Sequence, residues 1–201
     1  KLAKIIMPTV GVFTSIGEAH GEGFLNIRQK INEKLKLFVN SRLLIYCADN
    51  PDINEAVNMF KNNVRTGGDF ELFSWSKKET ATLQIISIET GSAQTAIQSK
   101  WKEIPVNFNI PFTDEASVEN AITCCCVLLH LGTSVETMAE RMMQLRTVEM
   151  RLELKQGINN CSIINDSYSA DINSLTIALD FLQQQKQHAK RTLILSDILQ
   201  S

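Results

Sequence analysis

Long apolar runs are missing from this chain: the longest, AITCCCVLLHL at Ala121–Leu131, is interrupted by a histidine and too short to span a bilayer. Basic blocks are missing as well. Twenty Lys and Arg stand against 22 Asp and Glu, a net charge of −2 that marks neither a nucleic-acid surface nor an anionic-membrane surface. No C-x-x-C spacing occurs among the five cysteines, Cys47, Cys124, Cys125, Cys126 and Cys161. They are expected to be buried, reduced thiols acting as small apolar residues, which points to the cytoplasm. Internal repeats and low-complexity tracts are absent. The chain opens at KLAKIIMP without an initiating Met and stops at LILSDILQS, so it is expected to be a piece of a longer protein.

What is present is ordinary for a globular protein, 44% apolar and 21% charged residues, in a patterned order. VGVFTSIG (10–17) reads as a buried strand running into a glycine loop. In Asn26–Asn40, Ile27, Ile31, Leu35 and Phe38 have the spacing of an amphipathic helix. RLLIYC (Arg42–Cys47) is a short apolar strand and Asp52–Val64 a second helix, so a parallel sheet with covering helices is expected. The segments GGDFELFSWS, TATLQIISIETGS and QTAIQSKWKEIPVNFNIPF then alternate as in a small antiparallel sheet, with Trp75 and Trp101 as packing residues. Thr113–Gly132 is helical again, and TSVE (Thr133–Glu136) reads as the capping box of a further helix. From Arg151 a new start appears: two strands about the turn QGINN, a loop DSYSAD, a helix INSLTIALDFLQQQ and a strand RTLILS. Residues 1–149 are therefore expected to be the later part of one α/β domain and 150–201 the beginning of another.

Four places could carry chemistry. TSIGEAHGEGF (Thr14–Phe24) holds His20 between Glu18 and Glu22, with Gly17, Gly21 and Gly23 permitting close backbone approach. Lys34 follows fourteen residues after the histidine, Asn120 lies near a helix start, and Asp166 sits in INDSYSAD at a strand end. Ligands in open α/β sheets collect beyond the carboxyl ends of strands, where the first and last of these fall. Each also has a structural reading: a solvated histidine or lysine, a locally bonded asparagine, and Asp166 or Ser167 capping the next helix. His130 reads as a satisfied core or surface histidine, and His188 as solvated.

Taken together these strings resemble the Mur ligases, ATP-dependent amide-forming enzymes of peptidoglycan precursor synthesis. TSIGEAHGEGF is similar to the family's T-N-I-G-x-A-H-x-E-G-F, NDSYSADINSLTIAL to D-D-S-Y-N-A-N-P-x-S-M-x-x-A-L, and RTLILSDILQS to R-x-I-x-V-L-G-D-M-L-E-L-G. The resemblance covers essentially the whole chain. It implies a partial Mur-ligase central domain, α/β, with a parallel sheet, helices and a small antiparallel sheet, followed by the start of a Rossmann-like C-terminal domain. It points to the branch that joins D-alanyl-D-alanine to UDP-N-acetylmuramoyl-tripeptide through an acyl phosphate. GEGFLNIRQKINEKLKLF further resembles the form fused ahead of an alanine racemase. Another Mur-type ligase, such as folylpolyglutamate synthase, and a non-catalytic scaffold are the alternatives.

By this resemblance His20 matches a ligand of Mg2+, and Lys34 a lysine carbamylated by CO2 that helps hold a second Mg2+. Asn120 matches the residue that recognises adenine, Arg151 one that reaches the nucleotide, Asp166 the ribose-binding aspartate and Tyr168 a tyrosine near the nucleotide. No residue is assigned a catalytic role. The chain departs from the pattern at Ala116 and Ser117, which replace a His-Asn pair, and at Ser169, Asp171 and Ile172, which replace Asn, Asn and Pro. No Gly-Lys pair occurs anywhere, so the family's G-T-N-G-K-T phosphate loop has no counterpart, and the chain alone is expected to be inert.

Overall fold

Helical crossovers between short apolar strands return the chain each time in the same direction. In the computed structural model, which describes residues 2–16, 23–63, 70–146, 151–168 and 172–196, a short helix α1 (Leu2–Ile6) leads to β1 (Val10–Phe13). Helix α2 (Ile27–Leu35), capped by the Asn26 side chain, which accepts from the Gln29 N–H, continues as a 3-10 turn at Lys36–Phe38 and joins β2 (Leu43–Cys47). Helix α3 (Pro51–Asn63), with proline pre-set for its first turn, joins β3 (Glu71–Ser76). β1, β2 and β3 pair in parallel. The sequence grouped Glu71–Ser76 with the antiparallel segments; it pairs parallel to β2 instead, because α3 carries the chain back before β3 begins.

β4 (Leu83–Thr90) lies parallel to β3 over only Trp75↔Leu83 and Ser76↔Gln84, the overlap that the short connection at 77–82 allows. β5 (Thr95–Trp101) and β6 (Ile104–Ile110) then add antiparallel, so the meander extends the parallel strands into one six-stranded sheet in the order β1-β2-β3-β4-β5-β6. All of β2 is buried, as expected of a strand covered on both faces. On one face Leu43, Ile45 and Trp75 pack against α4 (Glu115–His130) and α5 (Val135–Met142). On the other, Leu44 and Tyr46 pack with Ile31 and Leu35 of α2 and Ile53 and Val57 of α3. Each such buried side chain stabilises by roughly 1.5–3 kcal/mol relative to exposure.

Gly11 sets how closely β1 meets the turn after α2. A Cβ there would lie 2.5 Å from Phe38 Cδ1 and 3.0 Å from Leu44 Cδ1. Gly11→Ala is expected to destabilise the chain by about 1–3 kcal/mol through overpacking, read as a lower urea midpoint at unchanged slope.

α4 is capped by Asp114, which accepts from the Ser117 N–H at 2.8 Å. The cap of α5 is Ser134, accepting from the Thr137 N–H, rather than Thr133; the capping box expected at Thr133–Glu136 gives way to this single cap, with Thr137 rather than a glutamate at the third helical position. The thiols correct a second expectation. All five are free, but Cys124 and Cys161 are exposed and only Cys47, Cys125 and Cys126 are buried. Consecutive helical residues point about 100° apart, so three in a row cannot share one face. Burial pushes the Cys125 thiol up to about 12 and Cys47 to about 11. Trp75 and Trp101 are packing residues as expected: Trp75 is buried with Nε1 donating to Thr123 Oγ1, and Trp101 stacks on Phe73.

The chain divides into two compact units, the second beginning at Arg146. There β7 (Glu153–Gln156) and β8 (Ser162–Asn165) form an antiparallel pair around a 3-10 turn, where Asn159 and Asn160 take positive φ, a conformation asparagine tolerates. Helix α6 (Ile172–Gln184) follows. The strand expected at RTLILS does not form: residues 191–196 join no ladder and are exposed. A strand needs a neighbour for its backbone groups, and β7 and β8 pair only with each other among the described residues. His188 is not simply solvated, since its Nε2 lies 2.9 Å from Ser162 Oγ. No described helix is long and apolar enough to cross a membrane.

Candidate functional site

Three of the residues singled out in the sequence come together on the β7–β8 pair. Its register sets Glu153 opposite Asn165, which carries Leu152 to Asp166. Asp166 Oδ1 accepts the Leu152 N–H at 3.1 Å. That bond holds Leu152 at φ 45°, a backbone region unfavourable for leucine, and turns the preceding residue back over the strand ends. The Arg151 guanidinium consequently lies 4.4 Å from the centre of the Tyr168 ring, a cation–π stack with both side chains exposed. An aromatic plane, a guanidinium and a carboxylate at the open end of the hairpin form a surface that can meet an anionic, ring-bearing ligand.

The remaining sequence candidates lie elsewhere. Asn120 is exposed in the second turn of α4, against one face of the six-stranded sheet. Lys34 is exposed in the last turn of α2, on the helix layer of the opposite face. Of the lysines on α2 it is Lys30 that is buried, at 5% exposure, while Lys34 is exposed. His20, with Glu18 and Glu22, lies outside the described residues, and so does its pairing with Lys34. Among the described residues no three His, Cys, Asp or Glu side chains gather as a metal site.

A polar network that the sequence reading did not single out occupies the carboxyl ends of β2 and β3. Asp49 accepts from Ser76 Oγ at 2.5 Å and from the Lys77 N–H at 3.0 and 3.1 Å. Lys77 Nζ reaches Glu119 at 2.8 Å and Glu115 at 3.2 Å on α4. The signal was available: Asp49 and Lys77 each stand just past a strand end, where open α/β sheets concentrate polar function.

A parallel sheet extended by an antiparallel meander, covered by helices on both faces and with a polar network at the carboxyl ends of β2 and β3, defines the class as an α/β domain. The family model of the Mur ligase middle domain matches residues 1–128, and the chain belongs to that family. Over 99% of its length it is 28% identical to the UDP-N-acetylmuramoyl-tripeptide–D-alanyl-D-alanine ligase of Bacillus subtilis (strain 168), of which it spans 41%. Its fold is similar to that of MurF from Acinetobacter baumannii, with TM-score 0.76 and 22% identity over 91% of this chain and 39% of that one. It is also similar to MurF ligase from Thermotoga maritima, solved in complex with ADP, with TM-score 0.70 and 17% identity over 90% of this chain and 41% of that one.

Proposed function

We propose that this chain is part of an ATP-dependent ligase that adds D-alanyl-D-alanine to UDP-N-acetylmuramoyl-tripeptide in peptidoglycan precursor synthesis. The observation that carries the reading is similarity along nearly the whole chain to a Bacillus ligase of that name. Residues 1–149 are the later part of the central ATP-binding domain and 150–201 the opening of the C-terminal domain. ATP transfers its γ-phosphoryl group to the tripeptide carboxylate with release of ADP, and the amine of D-alanyl-D-alanine attacks the resulting acyl phosphate, forming the amide and releasing phosphate. Such an enzyme works in the cytoplasm, where its nucleotide-linked substrate and ATP are found.

In this reading Asn120 meets adenine, since an amide both donates to and accepts from the base edge. Arg151 and Tyr168 lie along the nucleotide. Asp166 accepts from the ribose hydroxyls; a carboxylate that takes one backbone N–H keeps acceptor capacity for them. Magnesium would be held by His20 and by Lys34 as a carbamate, which supplies the anionic oxygen that this ion prefers. The Lys34 amine is exposed and so open to CO2. When bound, the ion neutralises phosphate charge. A fused alanine racemase has no support among the relatives above and forms no part of the reading.

The test is phosphate release by the full-length enzyme. It is expected only when ATP, UDP-N-acetylmuramoyl-tripeptide and D-alanyl-D-alanine are all present. Release driven by a folate and glutamate instead, or by neither pair, would reject the proposal.

A further inference from the structure

We propose that Lys77 is a positioning residue for the nucleotide: with Asp49 and Glu119 it clamps the first turns of α4 to the ends of β2 and β3, and so sets where Asn120 meets the base. The inference rests on the reading of Asn120 given above and deepens it.

The clamp begins on the sheet. Asp49, two residues beyond β2, takes both the Ser76 hydroxyl and the Lys77 N–H, tying the end of β3 to the end of β2. Ser76 Oγ in turn accepts from the N–H groups of Lys78 at 3.0 Å and Glu79 at 2.8 Å, so the turn after β3 is held at each backbone step. From that turn the Lys77 side chain, 26% exposed, runs to Glu119 and Glu115, one helical turn apart on α4. A second tether lies beside it. Trp75 Nε1 donates to Thr123 Oγ1 at 3.1 Å, and that hydroxyl donates to the Glu119 carbonyl at 2.9 Å.

The tethers that run from the end of β3 to α4 therefore land on Glu115, Glu119 and Thr123. Asn120 stands between the last two and is exposed. A binding side chain offered to solvent from a helical turn pinned on its inner side is held to the geometry its ligand needs. Burial alone would lower the Lys77 ammonium's pKa, yet Glu119 and then Glu115 raise it above its ordinary value, so the clamp stays charged. An exposed ion pair contributes little, but a half-buried ammonium shared by two carboxylates fixes direction as well as charge.

The experiment is steady-state kinetics of the full-length ligase with ATP and GTP, comparing Lys77→Met, Lys77→Arg, Glu119→Gln, Asn120→Ala and the Lys77→Met/Asn120→Ala pair. Lys77→Met is expected to raise the KM for ATP about fivefold and to narrow the ATP-over-GTP preference, with the KM for D-alanyl-D-alanine unchanged. Lys77→Arg restores most of the loss, and Glu119→Gln shifts the KM for ATP in the same direction. In the Asn120→Ala background, Lys77→Met adds less than about twofold, because both act through one contact. An unchanged KM for ATP in folded Lys77→Met or Glu119→Gln overturns the clamp while leaving the reading of Asn120 intact, and so does full additivity with Asn120→Ala. Asn120→Ala with unaltered KM and base preference overturns that reading, and the clamp with it.

Discussion

Lys34→Ala in the full-length ligase is expected to lower the ligation rate by about a hundredfold or more, since even outer partners of a metal site are worth roughly 10–100-fold. Added short carboxylates such as acetate or formate should restore part of the activity by placing an anionic oxygen where the carbamate stood. The reasoning is electrostatic. An unmodified lysine is cationic near neutral pH and repels a divalent ion, whereas its carbamate attracts one. Lys34 occupies the last turn of α2, where the helix dipole favours positive charge, so a carbamate there needs the balancing charge of a bound cation. Activity should accordingly fall when CO2 is stripped from the buffer and return with bicarbonate. Wild-type turnover in Lys34→Ala, with no response to bicarbonate, would remove this residue from the mechanism.

The 201-residue chain titrated alone with Mg·ATP is expected to show no saturable binding below about 1 mM, a free energy no stronger than about −4 kcal/mol. Nucleotide affinity in such folds comes largely from the phosphates, cradled by backbone N–H groups of a glycine loop and by its lysine. No Gly-Lys pair exists in this chain, and in the proposed reading Asn120 and Asp166 address only the base and the ribose. Exposed contacts of that kind are individually small. Micromolar binding measured by calorimetry would mean that the phosphates are gripped by groups other than the loop.

Much of the molecule could be read in advance where local pattern decides. Of the apolar spacing read at Ile27, Ile31, Leu35 and Phe38, Ile31 and Leu35 form the inner face of α2 and Phe38 is buried in the turn after it, while Ile27 is exposed; the apolar strand read at Arg42–Cys47 is β2. Arg151, Asp166 and Tyr168 were named by motif, and their meeting follows from a hairpin whose turn, QGINN, was visible too. The strand expected at RTLILS failed for a reason outside itself: apolar content predicts a strand's faces, but only a neighbour supplies its hydrogen bonds. The thiols of Cys124 and Cys125 are adjacent in sequence and identical in chemistry, yet one is exposed and the other buried, because their helix presents only one side to the sheet.

The amino-acid order by itself determined most of the helices and strands, most of their apolar faces and which family motifs stand at strand ends, because periodicity and local capping act over a few residues. The tertiary structure alone decided that β3 runs parallel to β2 and that the meander completes one sheet. It also decided that Lys30 is covered while Lys34 is not, and that Asp49, Lys77 and Glu119 share one network. Those partners are 28 and 42 residues apart, and contacts across such separations arise only when strand register and helix packing are satisfied together.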